Sequence, residues 1–167
     1  EHEQFNYPES IRYLANKYNI EIIETIEKSE NIEERNERES LFIINNFASS
    51  YFQDKLSEKE KINKYLFNRG LSLTTIKNFN LGYSIDLQNN FYKNAIENGY
   101  SDDYLKESGL VITSDNKKFD RFRGRIIFPI KSISGRVLGF GGSIIDSNKK
   151  IAKYINSPES KIYNKSK

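Results

Sequence analysis

The alternation of apolar and polar positions divides this chain into a helical first part and a strand-rich second part. Across residues 7–20, Ile11, Leu14 and Tyr18 recur at helical spacing behind Pro8, and Asn19 can end that helix. An acidic run follows, with few core-forming residues after Ile26; it reads as a linker or an exposed helix start, and places a boundary at residues 27–38. From about residue 38, Leu41, Ile44, Ala48, Tyr51, Phe52 and Leu56 keep an i, i+3, i+4 rhythm that predicts an amphipathic core helix. A further helix is predicted over residues 58–68, stopped by Gly70, and Ser72 can cap a short one carrying Leu73, Ile76 and Phe79. Residues 81–85, LGYSI, predict a short strand. Residues 91–99 and 101–109 predict helices closed by Gly99 and Gly109, the second opened by the capping pair Ser101 and Asp102.

Beyond Gly109 the texture becomes β. Residues 110–113 and 117–119 flank the turn-forming SDN, and RIIFPI and RVLGFGG predict two antiparallel strands turning at Ser134 and Gly135. Pro129 inside the first of these predicts an edge strand or a bulge. A short extended piece precedes Ser157 and Pro158. Helices first and strands second argue for an α+β fold, with N-terminal helices followed by a small, mainly antiparallel sheet.

Composition narrows the function classes. With 167 residues, 37% of them apolar, the chain can bury roughly 70% of its unfolded surface without staples. It has no cysteine and one histidine, His2, so disulfides and a Cys/His zinc site are excluded. No stretch approaches the roughly 20 apolar residues that span a bilayer, and the acidic start does not have the pattern of a signal peptide, so a cytoplasmic protein without membrane contact is expected. Starting at Glu1 and containing no methionine, the sequence is expected to be an excised piece of a longer chain.

Charge is informative by position. Residues 1–60 hold 7 basic and 14 acidic side chains, whereas residues 117–167 hold 13 basic and 3 acidic ones. A net +10 over the last 51 residues is the footprint of a polyanion-binding surface; a lysine-rich solvated face is the plainer alternative. Arg69 ends the apolar stripe Ile62, Tyr65, Leu66, where a cation either complements the helix dipole or reaches for an anion. Arg121, Arg123 and Arg125 stand at period two, which on a strand aims three guanidiniums to one side, toward phosphate oxygens or toward the acidic N-terminal third. GFGGS, residues 139–143, lacks the Lys-Ser/Thr ending of a P-loop and the following helix of a dinucleotide site, and so predicts a close backbone approach or a bulge. In KYINSPE, Lys153 can take a phosphate, Tyr154 offers a stacking face and Asn156 an amide, although a polar surface loop has the same composition. Carboxylates do not cluster in the β region: Asp120, Asp146 and Glu159 are spread out, so a two-metal phosphoryl-transfer site is expected elsewhere.

Four of these stretches together resemble bacterial DNA primase: YLFNRGLSLTTIKNFNLGYS, SGLVITSDNKKFDRFRGRIIFPI, GRVLGFGGS, and KYINSPES with YNK after it, in that family's order. The resemblance implies that residues 39–167 are the N-terminal subdomain of the RNA polymerase core, residues 27–38 a linker, and residues 1–26 the last helix of a zinc-binding domain whose ligands are absent. It further implies that Arg69, Lys153, Tyr154, Asn156 and Lys165 line a basic groove for single-stranded DNA template and nucleotide phosphates, with Arg121, Arg123 and Arg125 in an equally basic signature. The implied partners are single-stranded DNA, ribonucleoside triphosphates, the RNA primer and, through a C-terminal domain, the replicative helicase. This piece is expected to be monomeric and to bind no cofactor itself; Mg²⁺ is assigned to a following Toprim subdomain and Zn²⁺ to the zinc-binding domain, so that the piece alone is expected to be inactive. The family commonly has arginine after GFGG, where this chain has Ser143. A non-catalytic single-strand-binding module and a basic protein-interaction module are the alternatives.

Overall fold

The helical first part is organised by how each helix ends. In a computed structural model that describes residues 32–145 and 150–165, helix α1 spans Ile32–Ser57. It begins before the apolar rhythm does: Glu33 and Glu34 favour the positive end of the dipole, and its first two turns are largely exposed. Then Leu41, Ile44, Ala48, Tyr51, Phe52 and Leu56 form its buried stripe. Helix α2, Glu60–Asn68, stops as expected at Gly70, whose φ is 86°. Gly70 N–H donates to Phe67 O and Leu71 N–H to Leu66 O, the paired bonds of a Schellman end. Helix α3, Leu73–Asn78, is capped by Ser72, whose hydroxyl accepts from Thr75 N–H at 3.1 Å. The predicted helix over residues 7–20, and residues 27–31 of the predicted linker, lie outside the described residues.

Strand β1, Gly82–Ser84, is followed by helices α4, Asn90–Glu97, and α5, Asp102–Glu107. Ser101 occupies the cap position of α5 without a side-chain bond, so the expected capping pair operates only in part. Strands β2, Val111–Ser114, and β3, Lys117–Asp120, form a separate hairpin turned by Asp115 and Asn116 at φ 47° and 59°, the left-handed pair of a type I′ turn. Strands β4, Arg125–Lys131, β5, Val137–Ile144, and β6, Tyr154–Asn156, join β1 in a sheet of order β1-β4-β5-β6, with antiparallel neighbours throughout. Pro129 does not lie on the predicted edge strand, because β4 pairs with β1 on one side and β5 on the other; β1 reaches only Ile127, so that side of β4 is open at Pro129, and the register with β5 shifts nearby, between Ile130 and Lys131.

The inner face of the sheet packs on α1. Phe52, Phe91, Phe122 and Phe140 meet there at ring separations of 5.4 to 6.2 Å, and a Cβ on Gly82 would come within 2.5 Å of the Phe52 Cβ. A second cluster of Leu56, Leu66, Ile76, Leu81 and Ile126, flanked by Tyr65 and Tyr83, closes the β1 edge of the other face. The glycines of GFGGS answer to close approach: a Cβ on Gly142 would stand 2.7 Å from Phe122 Cδ1. The fold is α+β, helices first.

Candidate nucleic-acid interface

In-register pairing carries one row across the sheet: Tyr83 on β1, Ile126 on β4, Ser143 on β5 and Tyr154 on β6. Directly opposed residues share a face, so these four project to the side away from α1, and three interstrand steps make the row about 14 Å long. At the β1 end, Tyr65 of α2 packs in the cluster that holds Ile126 and Tyr83. Arg69, one turn later, is exposed, caps α2 and lies 5.1 Å from the Tyr65 ring centroid. At the other end Lys153 lies 5.2 Å from the ring of the exposed Tyr154, and Asn156 projects beside Gly141, its Oδ1 where a Cβ on that glycine would come within 3.2 Å. The structure therefore sets Tyr154 and Asn156 on one face, with Lys153 Nζ reaching the Tyr154 ring, and places Arg69 beside the cluster at the other end of the row. Lys165 is exposed in a turn two residues after Tyr163, whose ring lies over Gly139; among the described residues no hydrogen bond or ring contact joins it to the others. Ser143 sits mid-row and turns its hydroxyl to Ile144 O at 3.2 Å.

The arginine triad departs from the expected geometry. Residues 121–124 form a turn between β3 and β4, with Gly124 at φ 69°, so the three guanidiniums do not alternate along one strand. They converge nonetheless on a cavity of about 350 Å³, shared with Asp86, Gly124, Ile144 and Ile151. Arg121 is half-buried and donates from Nε to Gly109 O at 2.6 Å. Arg125 is buried and donates from Nη1 to Lys153 O at 3.1 Å and from Nη2 to Ala152 O at 2.8 Å, which ties down the backbone leading into β6. Burial lowers the pKa of both groups, yet guanidiniums stay charged at any ordinary pH. Arg123 alone is exposed, 6.0 Å from the Phe119 ring.

Part of the basic excess is neutralised internally. Arg136 forms a bidentate pair with Glu39 over the Phe42 ring, Lys161 pairs with Glu37 and Glu107, and Lys118 pairs with Asp102. The acidic N-terminal third thus takes up two of the cations. Lys117, Arg123, Lys131, Lys150, Lys153 and Lys165 are exposed and make no salt bridge among the described residues. The clamp from Arg125 and the Tyr65 platform under Arg69 escaped sequence reasoning; the i, i+4 spacing of Tyr65 and Arg69 was the one available signal.

Among the described residues the carboxylates do not gather for a divalent metal. Asp120, reached by the N–H groups of Phe91 at 2.7 Å and Tyr92 at 3.0 Å, caps α4; burial raises its pKa to about 6 against those amide bonds. Asp102 is held down to about 2 by Lys106 and Lys118. Among the described residues no three His, Cys, Asp or Glu side chains converge, and with no cysteine and one histidine the chain does not fit structural zinc either.

Residues 51–167 match the family model of the DNA primase catalytic core, N-terminal domain. The DNA primase of Clostridium acetobutylicum is 36% identical over 163 residues, covering 98% of this chain and 27% of that protein. That of Deinococcus radiodurans is also 36% identical, over 165 residues, covering 98% and 27%. Among solved structures, a DnaG primase catalytic domain bound to ssDNA superimposes on 78% of this chain and 41% of its own, at TM-score 0.72 and 32% identity. The Aquifex aeolicus primase, with zinc-binding and RNA polymerase domains, covers 96% of this chain and 37% of its own, at TM-score 0.71 and 28% identity. The chain spans little more than a quarter of the length of the curated relatives it matches. By sequence and by fold, this chain belongs to the bacterial DNA primase family, and its residues 51–167 are that family's catalytic-core N-terminal domain.

Proposed function

We propose that this chain is the template-gripping part of a primer-synthesising RNA polymerase, and that it holds single-stranded DNA and nucleotide phosphates on the outward face of the β1-β4-β5-β6 sheet. One observation carries the reading: Arg69 stands at one end of a sheet row and Tyr154 and Asn156, with Lys153 against the Tyr154 ring, at the other, and an open stretch of sheet carrying Ser143 and Gly141 lies between them. Cations at the rim and an aromatic face within it suit a strand whose phosphates run outside and whose bases lie inward. Arg123 and Lys165 extend the same positive field, and Arg121 and Arg125 serve the groove by holding its backbone through their hydrogen bonds.

Ribonucleoside triphosphates and the RNA primer occupy the same groove in this reading. The metal-binding carboxylates come from a Toprim subdomain beyond the described residues, and the helicase contact from a more distant domain. Residues 1–26 then represent the end of a zinc-binding domain, residues 27–38 a connecting segment and residues 39–167 the core subdomain, with the protein working as a monomer at the bacterial replication fork. The solved DnaG relative bound to ssDNA supports the assignment of the ligand.

A fluorescent single-stranded oligonucleotide titrated with the chain across a salt series tests this. Affinity is expected to fall linearly in log-log form, and Lys153→Ala and Arg69→Ala are each expected to make the slope shallower by about 0.7, the value for one phosphate of a single strand. Absence of binding at low salt, or unchanged slopes in both variants, would contradict it.

A further inference from the structure

The outward sheet face carries a second exposed ring that the candidate residues leave out. Phe128 lies in the middle of β4, two residues along from Ile126 and on the same face, and is 40% exposed. Its in-register partner on β5 is Gly141, and beyond that stands Asn156 on β6. In the neighbouring row, Ile126, Ser143 and Tyr154 repeat the arrangement, with Tyr154 67% exposed. The two rings therefore stand on an open sheet with a glycine and a serine between them. Two interstrand steps and one two-residue step along the strand put their Cα atoms about 12 Å apart.

Residues nearer the β1 edge of this face are covered: Leu81 and Ile126 are buried with Leu56, Leu66 and Ile76. Phe128 lies just past that roof. An aromatic ring left open at the centre of a strand forgoes hydrophobic burial, and its surroundings point to what covers it. Lys153 stands beside Tyr154, Lys131 ends the strand that carries Phe128, and Asn156 offers both a donor and an acceptor. Flat apolar rings inside a cationic rim match nucleobases, which stack on aromatic faces while their phosphates seek cations; single-strand-binding sheets use this combination.

We propose that Phe128 is a base-stacking residue: Phe128 and Tyr154 each seat one base of a single strand, while Lys153 and Arg69 take its phosphates. This rests on the template-gripping reading and adds the nucleobase contact to it. The occupant is single-stranded DNA; another part of the protein packed on Phe128 is the competing outcome.

The chain contains no tryptophan, so Phe128→Trp gives a single fluorescent reporter at the site. Its emission is expected to be quenched by oligothymidine and left unchanged by an abasic oligonucleotide of the same length, with affinity close to that of the unmodified chain. Phe128→Ala is expected to weaken oligothymidine binding about 5- to 150-fold with the salt slope unaltered, because a stacked base and not a phosphate contact is lost. Phe128→Leu, which keeps apolar volume without a π face, separates stacking from folding: it should melt like the unmodified chain and bind weakly. Normal affinity in Phe128→Leu, or an unquenched Phe128→Trp, overturns the stacking role while the template-gripping reading stands if Lys153→Ala still lowers the slope. If the unmodified chain binds no DNA at low salt, both fall together.

Discussion

Replacing Arg125 by alanine separates its two possible roles, phosphate contact and backbone clamp. Its guanidinium makes two bonds, at 2.8 Å to Ala152 O and 3.1 Å to Lys153 O, in a residue only 5% exposed. A hydrogen bond involving a charged group contributes about 1.5–3 kcal/mol. Lys153 O keeps its bond from Ile144 N–H at 3.1 Å and residues 151–154 are exposed, which places each bond at or below the low end of that range. The apolar stem adds packing, because its Cδ lies 3.0 Å from where a Gly142 Cβ would sit. The structure therefore predicts a loss of about 2–3 kcal/mol for Arg125→Ala, read as a lower denaturant midpoint in equilibrium unfolding. Arg125→Lys keeps the charge but cannot bridge two carbonyls from a fork, so it should recover little of that loss. DNA affinity should drop in both variants through the loosened β6, with the salt slope preserved. Stability within about 0.5 kcal/mol of the unmodified chain, the span of a neutral surface change, together with a slope lower by about 0.7 in Arg125→Ala alone, would refute the clamp.

Other consequences are equally checkable. Asp120 titrates near 6 in the folded chain, above its unfolded value of about 3.9, so the native state binds more protons and stability should fall as pH rises from about 4 to about 6, by at most about 3 kcal/mol. Asp120→Asn should flatten that profile in urea unfolding at stepped pH, and an identical slope in both proteins would assign the titration elsewhere; Asp102, lowered to about 2, acts only below that window. Gly142→Ala forces a methyl to 2.7 Å from Phe122 Cδ1 and should cost about 1–3 kcal/mol in the same assay, whereas unchanged stability would show that this approach can relax. Arg136→Ala breaks an exposed pair with Glu39 and should cost about 1 kcal/mol or less; a loss several times larger would show that the pair anchors α1 to the β4–β5 turn.

What could be read from the sequence was mostly local. Gly70 and Gly99 ended helices because each follows a helical run and takes the left-handed conformation without a Cβ penalty, and Asp115-Asn116 turned its hairpin for a related reason. The start of α1 was read late because its first turns carry no apolar stripe, although Glu and Arg are good helix formers and the first turn is acidic. The arginine triad was misread because period-two spacing was continued through residues 121–124, where the chain turns at Gly124. Contacts across long separations gave no signal: Asp120 caps a helix 29 residues earlier, Arg125 clamps a backbone 28 residues later, and nothing in LGYSI announces its pairing with RIIFPI. Of the candidate site, the residue types were legible, and the placing of Arg69 and Tyr154 at the two ends of one row was not, since it depends on sheet order and on the cluster that joins α2 to β1.

Whether single-stranded DNA lies on the outward sheet face is read by backbone amide shifts of the isotope-labelled chain during titration with a short oligothymidine. The largest shifts are expected at Ser143, Tyr154 and Asn156, extending to Arg69, with the β2–β3 hairpin tip at Asp115 and Asn116 unmoved. Shifts concentrated at that tip or around Phe42 and Arg136, with the sheet row silent, would contradict it.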